Sequence, residues 1–112
     1  MTLPRMLPKP KRRDNRIRSQ AHLKWVRRHG CCVPCCPEHR IEAAHVRNGT
    51  DGGTSLKPGD DNVIALCWWH HRQQHEIGEA AFEKFYQIDM KALAREFWQR
   101  SPHRRAAEGR RT

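Results

Sequence analysis

The sequence lacks a long apolar run. Apolar residues make up 37% of its 112 residues, and no stretch approaches the roughly 20 consecutive apolar residues that a membrane span needs. The basic N-terminus is not followed by the apolar core of a secretory signal. We therefore expect a cytoplasmic protein without a membrane partner, and the length fits a single domain.

Acidic residues are also scarce. The chain has 22 Lys and Arg against 12 Asp and Glu, a net charge of +10. Residues 1–28 carry +9 and residues 100–112 carry +4, whereas residues 29–99 carry −3. Basic arms of this density attract polyanions through phosphate contacts and counterion release. Nucleic acid is the predicted partner, and a solubility tail or a membrane-surface patch is the alternative interpretation.

The composition divides the chain into a central domain and two arms. Residues 1–14 are proline-rich and basic and are predicted to be a disordered arm, residues 15–100 form one domain, and residues 101–112 form a basic tail. Within the domain, the pattern predicts a small α+β fold. Its expected elements begin with a basic helix over 15–29, a strand over 40–47, a glycine-rich loop over 48–62 and a strand over 62–66. Two helices follow over 67–77 and 79–87, and the second has Phe82, Phe85 and Tyr86 as its packing face. Asp89 is expected to cap a last helix.

Five cysteines favour a metal over disulfides. Their number is odd, and four of them crowd into residues 31–36, where adjacent positions rarely cross-brace a fold. Cys67 and His70 follow about 30 residues later, and a tetrahedral zinc site needs two such ligand pairs. An ordered core of about 70 residues also supplies little net stability by itself, so a metal or a disulfide is expected to stabilise it. We predict a structural Zn²⁺, whose first pair could be Cys32 with Cys35, Cys31 with Cys36, or Cys32 with Cys36. The alternative is that the thiols are reduced and act as small buried apolar groups.

Several histidines remain after His70 is assigned to zinc. His71 and His75 are four residues apart on one predicted helix and so share a face, where two imidazoles could hold one metal ion or one phosphate. His45 lies upstream on the first strand, and Asn62 precedes the second. These residues predict a second, functional site beside the zinc. His39 is a candidate for a spare zinc ligand, and surface or phosphate-contact positions are expected for His22, His29 and His103.

The motifs resemble those of a known family. Asn62-Val63-Ile64-Ala65-Leu66-Cys67, followed after two residues by His70-His71, resembles the N-L-x-x-L-C-x-x-C-H segment of the HNH endonucleases. Glu42-Ala43-Ala44-His45 lies where that family has E-x-D-H, and Gly52-Gly53 matches its loop glycines. The strings Ala44-His45-Val46-Arg47 and His70-His71-x3-His75-x2-Gly78 resemble a phage and prophage branch that is similar to the Ref-type recombination-enhancement nuclease. The resemblance covers residues 30–99.

This resemblance implies a ββα-metal core over about 30–78, with C-terminal helices over 79–99. It implies a phage- or prophage-encoded, metal-dependent endonuclease that hydrolyses phosphodiester bonds in DNA with low sequence specificity. His45 would be the general base, Asn62 would orient that histidine or its hairpin, His71 would bind the catalytic ion and His75 would be an added ligand. The ion would be Mg²⁺ or Mn²⁺, with Ni²⁺ or Zn²⁺ as alternatives. The structural zinc ligands would be Cys31, Cys36, Cys67 and His70.

DNA, duplex or single-stranded, is the partner this function requires, and phage or host recombination proteins are further candidates. Phosphates would be held by basic side chains of the domain and the N-terminal arm, namely Arg47, Lys57, Arg72, Arg12, Arg13 and Arg16. Two positions depart from the family pattern: Ala44 replaces the metal-binding Asp, and His70 replaces a zinc-binding Cys. The loss of the Asp favours the main alternative, a zinc-stabilised nucleic-acid-binding module without catalytic activity.

Overall fold

A computed structural model describes residues 16–47 and 58–109. Over these residues the protein is a small α+β domain with one two-stranded sheet. Its elements, in chain order, are α1 (Gln20–Val26), β1 (Ile41–His45), β2 (Val63–Cys67), α2 (Trp68–Ile77), α3 (Glu79–Tyr86), α4 (Met90–Arg100) and α5 (Arg104–Gly109). The predicted arm over 1–14 and most of the predicted loop over 48–62 lie outside the described residues.

The sheet is an antiparallel hairpin at the centre of the domain. β1 pairs with β2 in a register that sets Ile41 against Cys67 and His45 against Val63. All five β2 residues are buried, because helices cover both faces. Ala44 packs on one face in a core with Phe82, Met90 and other apolar side chains. On the opposite face, Ala43 packs in a second core that includes the apolar residues of α1.

α1 is shorter than the predicted helix over 15–29. It begins after Ser19, whose hydroxyl accepts a hydrogen bond from the His22 backbone N–H at 3.1 Å, as an N-cap residue does. The preceding residues are extended instead, because they pair with the segment before β2. The Asp60 N–H donates to the Ile17 carbonyl at 2.8 Å, a tertiary bond that helical periodicity could not predict.

The boundaries of α2 follow from its two ends. The Cys67 sulfur accepts from the His70 backbone N–H at 3.3 Å and caps the first turn. Gly78 ends the helix with φ at +87°, a conformation that glycine adopts without the steric cost of a Cβ atom. The predicted helix over 67–77 and its stop at Gly78 agree with this element.

In the remaining helices, one prediction is confirmed and two are corrected. The Asp89 carboxylate accepts from the Ala92 N–H at 3.1 Å and caps α4, as predicted. Phe82 and Tyr86 of α3 pack inward, but Phe85 is 71% exposed, so the expected three-residue packing face is narrower than predicted. The predicted tail over 101–112 contains α5, which buries Ala107. Among the described residues, no helix has the length and apolar character needed to cross a bilayer.

Candidate metal centre and histidine cluster

Four side chains from three parts of the chain converge on one point. The Cys31, Cys36 and Cys67 sulfur atoms and the His70 Nδ1 all lie within 4.8 Å of one another. The Nδ1 atom is 3.5 Å from the sulfur of Cys31, 3.5 Å from that of Cys36 and 3.0 Å from that of Cys67. We call this group the Cys₃His cluster.

The spacing of these atoms fits a zinc ion. With Zn–S bonds of about 2.3 Å and Zn–N bonds of about 2.0–2.1 Å, a tetrahedral site separates its ligand atoms by about 3.6–3.8 Å. Four of the separations run from 3.0 Å to the 3.9 Å between the Cys36 and Cys67 sulfurs, and all lie within 4.8 Å. Three thiolates and one imidazole are a usual donor set for structural zinc. The cluster could therefore hold Zn²⁺ with four protein ligands.

The backbone of the cysteine-rich turn selects which thiols converge. The Cys32 N–H donates to the Ala65 carbonyl at 2.8 Å, which ties the turn to β2. Cys35 has φ at +62°, and this left-handed residue reverses the chain. Cys31 and Cys36 thus flank the turn and reach inward, while Cys35 is exposed. Of the three pairs that the spacing left open, the structure brings Cys31 and Cys36 to Cys67 and His70.

Burial acts on the protonation of the ligands. It raises the pKa of the Cys31 thiol to about 12 and lowers the pKa of the His70 imidazole. The neutral imidazole is the form that binds a metal, but the thiols would have to ionise. A bound cation reverses the effect of burial on a thiol, since coordinating thiols are deprotonated. A cation bound in the cluster would therefore stabilise the ionised form of Cys31.

A second cluster lies on the exposed side of α2. The Glu42 carboxylate Oε1 of β1 accepts from His71 Nδ1 at 2.7 Å, and the His71 Nε2 lies 3.2 Å from the His75 Nε2. The side chain of Glu42 is 49% exposed and that of His71 is 22% exposed. We call these three residues the histidine cluster. The pairing fixes the His71 proton on Nδ1, so that Nε2 presents its lone pair toward His75.

Two contacts define how α2 runs beside β1. Glu42, near the start of the strand, meets His71 in the first half of the helix. Just beyond the end of the strand, the Arg47 N–H donates to the Glu79 carboxylate at 2.8 and 3.1 Å, and Glu79 begins α3. The helix and the strand therefore advance in the same direction.

His45 has a different partner. Its Nε2 lies 3.0 Å from the Asp60 Oδ1, and the Asp60 side chain is only 3% exposed. Strand alternation places His45 on the face opposite Glu42 and Ala44. Asn62 secures the hairpin beside it, since its carbonyl accepts from the Val46 N–H at 2.8 Å. Sequence reasoning missed Asp60, which belongs to no recognised motif; its only signal was an acidic residue in the loop just before Asn62.

Ala44 does not reach the histidine cluster with a ligand atom. It is fully buried and packs among apolar residues that include Ile64 and Phe82. The position where the resembling family has a metal-binding Asp is thus part of the core. Any ion at the histidine cluster would depend on the side chains of α2.

Three of the six predicted phosphate contacts lie among the described residues. Arg72 is 73% exposed and pairs with Glu76 at 3.3 Å, and Arg47 and Arg16 also lie among the described residues. Lys57, Arg12 and Arg13 lie outside them.

Two other histidine expectations have clear outcomes. His39 is exposed and stands outside the Cys₃His cluster. The prediction of His22 as a surface residue is wrong: it is fully buried, beside Trp25 and edge-on to Trp98 at 4.9 Å. Its Nδ1 lies 2.8 Å from the Ser101 hydroxyl, and burial lowers its pKa to about 4. The helical register turned this residue inward, where its ring acts as a packing group.

With this geometry in place, comparison with known proteins gives a family. The chain is a small α+β domain with a Cys₃His cluster that could hold zinc, and residues 4–102 match the sequence profile described as Protein of unknown function (DUF968). The match covers most of the chain, so the protein belongs to the DUF968 family. No curated protein matches the chain, and no solved structure matches it.

Proposed function

We propose that this protein is a metal-dependent endonuclease of the HNH type that hydrolyses phosphodiester bonds in DNA, with the Cys₃His cluster as its zinc staple. The observation that carries the proposal is the histidine cluster. It presents two imidazole nitrogens 3.2 Å apart on an exposed helix face, and a carboxylate orients one of them. A structural role needs no such exposed pair.

The distance between the two Nε2 atoms suits a shared cation. Metal–ligand bonds of about 2.0–2.1 Å place two adjacent ligand atoms about 3.0–3.4 Å apart, for octahedral and tetrahedral geometry respectively. His71 and His75 would hold the ion, and Glu42 would fix the ring of His71 from behind, as carboxylates do in metal sites. When bound, a divalent ion would stabilise negative charge on the phosphate and on the departing oxygen.

His45 is the proposed general base. It is the last residue of β1 and lies on the opposite face from Glu42, so the phosphate would have to reach both His45 and the histidine cluster around the end of that strand. Its side chain is 17% exposed, so a ring edge can meet solvent while Asp60 holds Nε2. His45 would take a proton from water as the water oxygen bonds to phosphorus. The P–O3′ bond then breaks, the 3′ oxygen takes a proton from solvent, and His45 returns its proton to solvent.

The basic composition supports nucleic acid as the substrate. The arms at residues 1–28 and 100–112 together account for more than the whole net charge of +10. Counterion release from DNA phosphates would supply affinity independent of sequence, and this affinity falls steeply with salt. We propose low sequence specificity, with phage or host recombination proteins as candidate partners in the cell.

One observation favours a second candidate function. Ala44 is sealed in the apolar core, so the histidine cluster lacks the acidic ligand that the resembling family places there. A zinc-stapled DNA-binding module would tolerate this loss, whereas a nuclease must complete the shell with water and phosphate. The same experiment separates the two candidates.

The test is a plasmid-nicking assay with zinc-loaded full-length protein in Mg²⁺, Mn²⁺, Ni²⁺ or no added metal. We expect nicking that needs a divalent ion and falls by at least about 10²-fold in both His45→Ala and His71→Ala. The zinc content of both variants should stay at the wild-type value. His39→Ala is the matched control, because it removes an exposed histidine outside both clusters and should nick like wild type.

Two results would contradict the nuclease. Zinc-loaded wild type that binds DNA in a salt-dependent manner and yet leaves the plasmid intact with every ion would establish the binding module. Nicking by His45→Ala and His71→Ala as fast as by wild type would assign the activity to a contaminant.

A further inference from the structure

We infer that Asp60 is a positioning residue that holds the His45 proton on Nε2 and so makes Nδ1 the atom that accepts a proton from water. This inference rests on the proposed function, because it names the residue behind the general base. It also makes a claim about His45 that can be measured without any cleavage.

The contacts of Asp60 show a carboxylate built into one place. Oδ1 lies 3.0 Å from the His45 Nε2 and 4.0 Å from an Arg18 guanidinium nitrogen. Oδ2 accepts from the Ser19 backbone N–H at 2.8 Å. The backbone N–H of Asp60 donates to the Ile17 carbonyl. A side chain held by this many partners loses little further entropy when it orients an imidazole.

The ionised carboxylate of Asp60 can only accept a hydrogen bond from His45. Burial would raise the pKa of Asp60, but hydrogen bonds from His45 and Ser19 outweigh burial and hold that pKa below its ordinary value. An ionised carboxylate has no donor. His45 must therefore donate from Nε2, and its Nδ1 is left with a lone pair whenever the ring is neutral.

The position of Asp60 is set by a contact far along the chain. Arg18 donates to the Pro58 carbonyl at 2.7 Å, and together with the Ile17 and Ser19 bonds this ties the segment before β2 to the segment before α1. The Asp60 carboxylate thus reaches His45 from the segment that precedes β2.

The direct test is the tautomer of His45 in the wild-type protein. Long-range ¹H–¹⁵N correlation NMR of the zinc-loaded full chain, at a pH where the ring is neutral, should show His45 protonated on Nε2. His45→Gln identifies its signals. A ring protonated on Nδ1, or an equal mixture of the two tautomers, would overturn the inference.

The second test removes the charge and keeps the shape. Asp60→Asn can donate from its amide as well as accept, so we expect His45 to lose its single tautomer, and kcat to fall about 10²-fold or more while KM for DNA changes little. Glu76→Gln is the matched control, since it removes one acidic charge from a residue 63% exposed and should keep both the tautomer and kcat.

The outcomes separate this inference from the proposed function. If wild type fails to cut DNA, the nuclease proposal fails, and the tautomer of His45 still decides the role of Asp60. If wild type cuts and Asp60→Asn cuts equally fast with the same tautomer, the role of Asp60 is refuted and the nuclease stands. Should Asp60→Asn not fold, Asp60→Ala takes its place, and it should likewise leave His45 as a mixture of the two tautomers.

Discussion

The Cys₃His cluster and the histidine cluster both adjoin α2, yet they differ in how many ligand atoms they bring together. The first has four ligand atoms from three segments, all within 4.8 Å, and one of its members, Cys67, is buried. The second offers two imidazole nitrogens on one exposed helix face, with a carboxylate behind one of them. Metal sites with four protein ligands are structural, whereas sites with open positions are where substrates and water bind.

The difference is produced by a single residue step along the helix. His70 points toward the cysteine turn and α3, and its ring meets Tyr86 at 5.2 Å. His71 is rotated by about 100° and faces β1 and solvent. Adjacent histidines are therefore assigned to unlike sites, and substitutions in the two clusters should have unlike consequences.

The largest expected effect comes from breaking the Cys₃His cluster. Cys67→Ser should abolish zinc binding and leave the domain unfolded at 25 °C. Structural zinc contributes about 10–16 kcal/mol in small zinc-dependent folds, which matches or exceeds the usual net stability of a domain. Zinc content by elemental analysis and far-UV circular dichroism measure the two changes.

Cys35→Ser is the matched control for that variant. It removes an exposed thiol from the same cysteine-rich turn without touching the four converging atoms, and should keep zinc and fold. A Cys67→Ser protein that retained stoichiometric zinc and the wild-type melting curve would disprove the structural role of the cluster.

A smaller effect on stability is expected from His22, a buried histidine that lies outside the Cys₃His cluster. Burial lowers the pKa of His22 from 6.5 to about 4, so the folded state keeps this ring neutral while the unfolded state protonates it. The stability that it contributes is complete above pH 6.5 and is lost as the pH falls toward 4, by about 3 kcal/mol in all. His22→Gln should flatten this part of the pH–stability curve, measured by chemical denaturation at saturating zinc.

His29→Gln serves as the control. The His29 ring also has a hydrogen-bond partner, the Trp25 carbonyl, but His29 is only half-buried, whereas His22 is fully buried. If His22→Gln loses stability between pH 6.5 and 4 as steeply as wild type, protonation of His22 does not cause the loss of stability in acid.

The smallest effect is expected at the histidine cluster. Glu42→Gln should weaken Mn²⁺ binding by about 10–100-fold, as loss of an orienting carboxylate does in other metal sites. Zinc content and melting temperature should not change, since Glu42 is 49% exposed. Titration of the zinc-loaded protein with Mn²⁺, followed by electron paramagnetic resonance, measures the affinity. Equal Mn²⁺ affinity in Glu42→Gln and in the Glu76→Gln control would show that Glu42 does not support a metal site.

Much of the secondary structure was predictable, because its signals are local. Asp89 caps α4, Gly78 ends α2, and the apolar run Val63–Leu66 forms a buried strand. The helix over 15–29 was predicted too long, since bonds to residues 58–60 hold residues 16–19 extended. α5 was missed because its polar sequence carries no periodic apolar stripe, and only tertiary packing buries Ala107.

The candidate sites divide along the same line. The ligand types and the spacing of Cys67, His70, His71 and His75 are set by the sequence, because a helix fixes which residues share a face. Spacing alone permitted three pairs of cysteines, and the left-handed turn at Cys35 with the Cys32 bond to β2 decided for Cys31 and Cys36. The partner of His45 could not be predicted at all, since Asp60 reaches it only after residues 16–19 and the segment before β2 come together.

The sequence by itself therefore determined the chemistry available to this protein: thiols and imidazoles in two groups, a short hairpin and helix to carry them, and basic arms suited to a polyanion. Tertiary structure alone decided which atoms meet. It closed one group around a metal position, left the other open to solvent, buried Ala44 and His22, and set Asp60 behind His45. The physical reason is that side-chain chemistry and helical spacing are local properties, whereas convergence of ligands depends on contacts between segments about 30 to 40 residues apart, whose loop-closure cost only the packed core offsets.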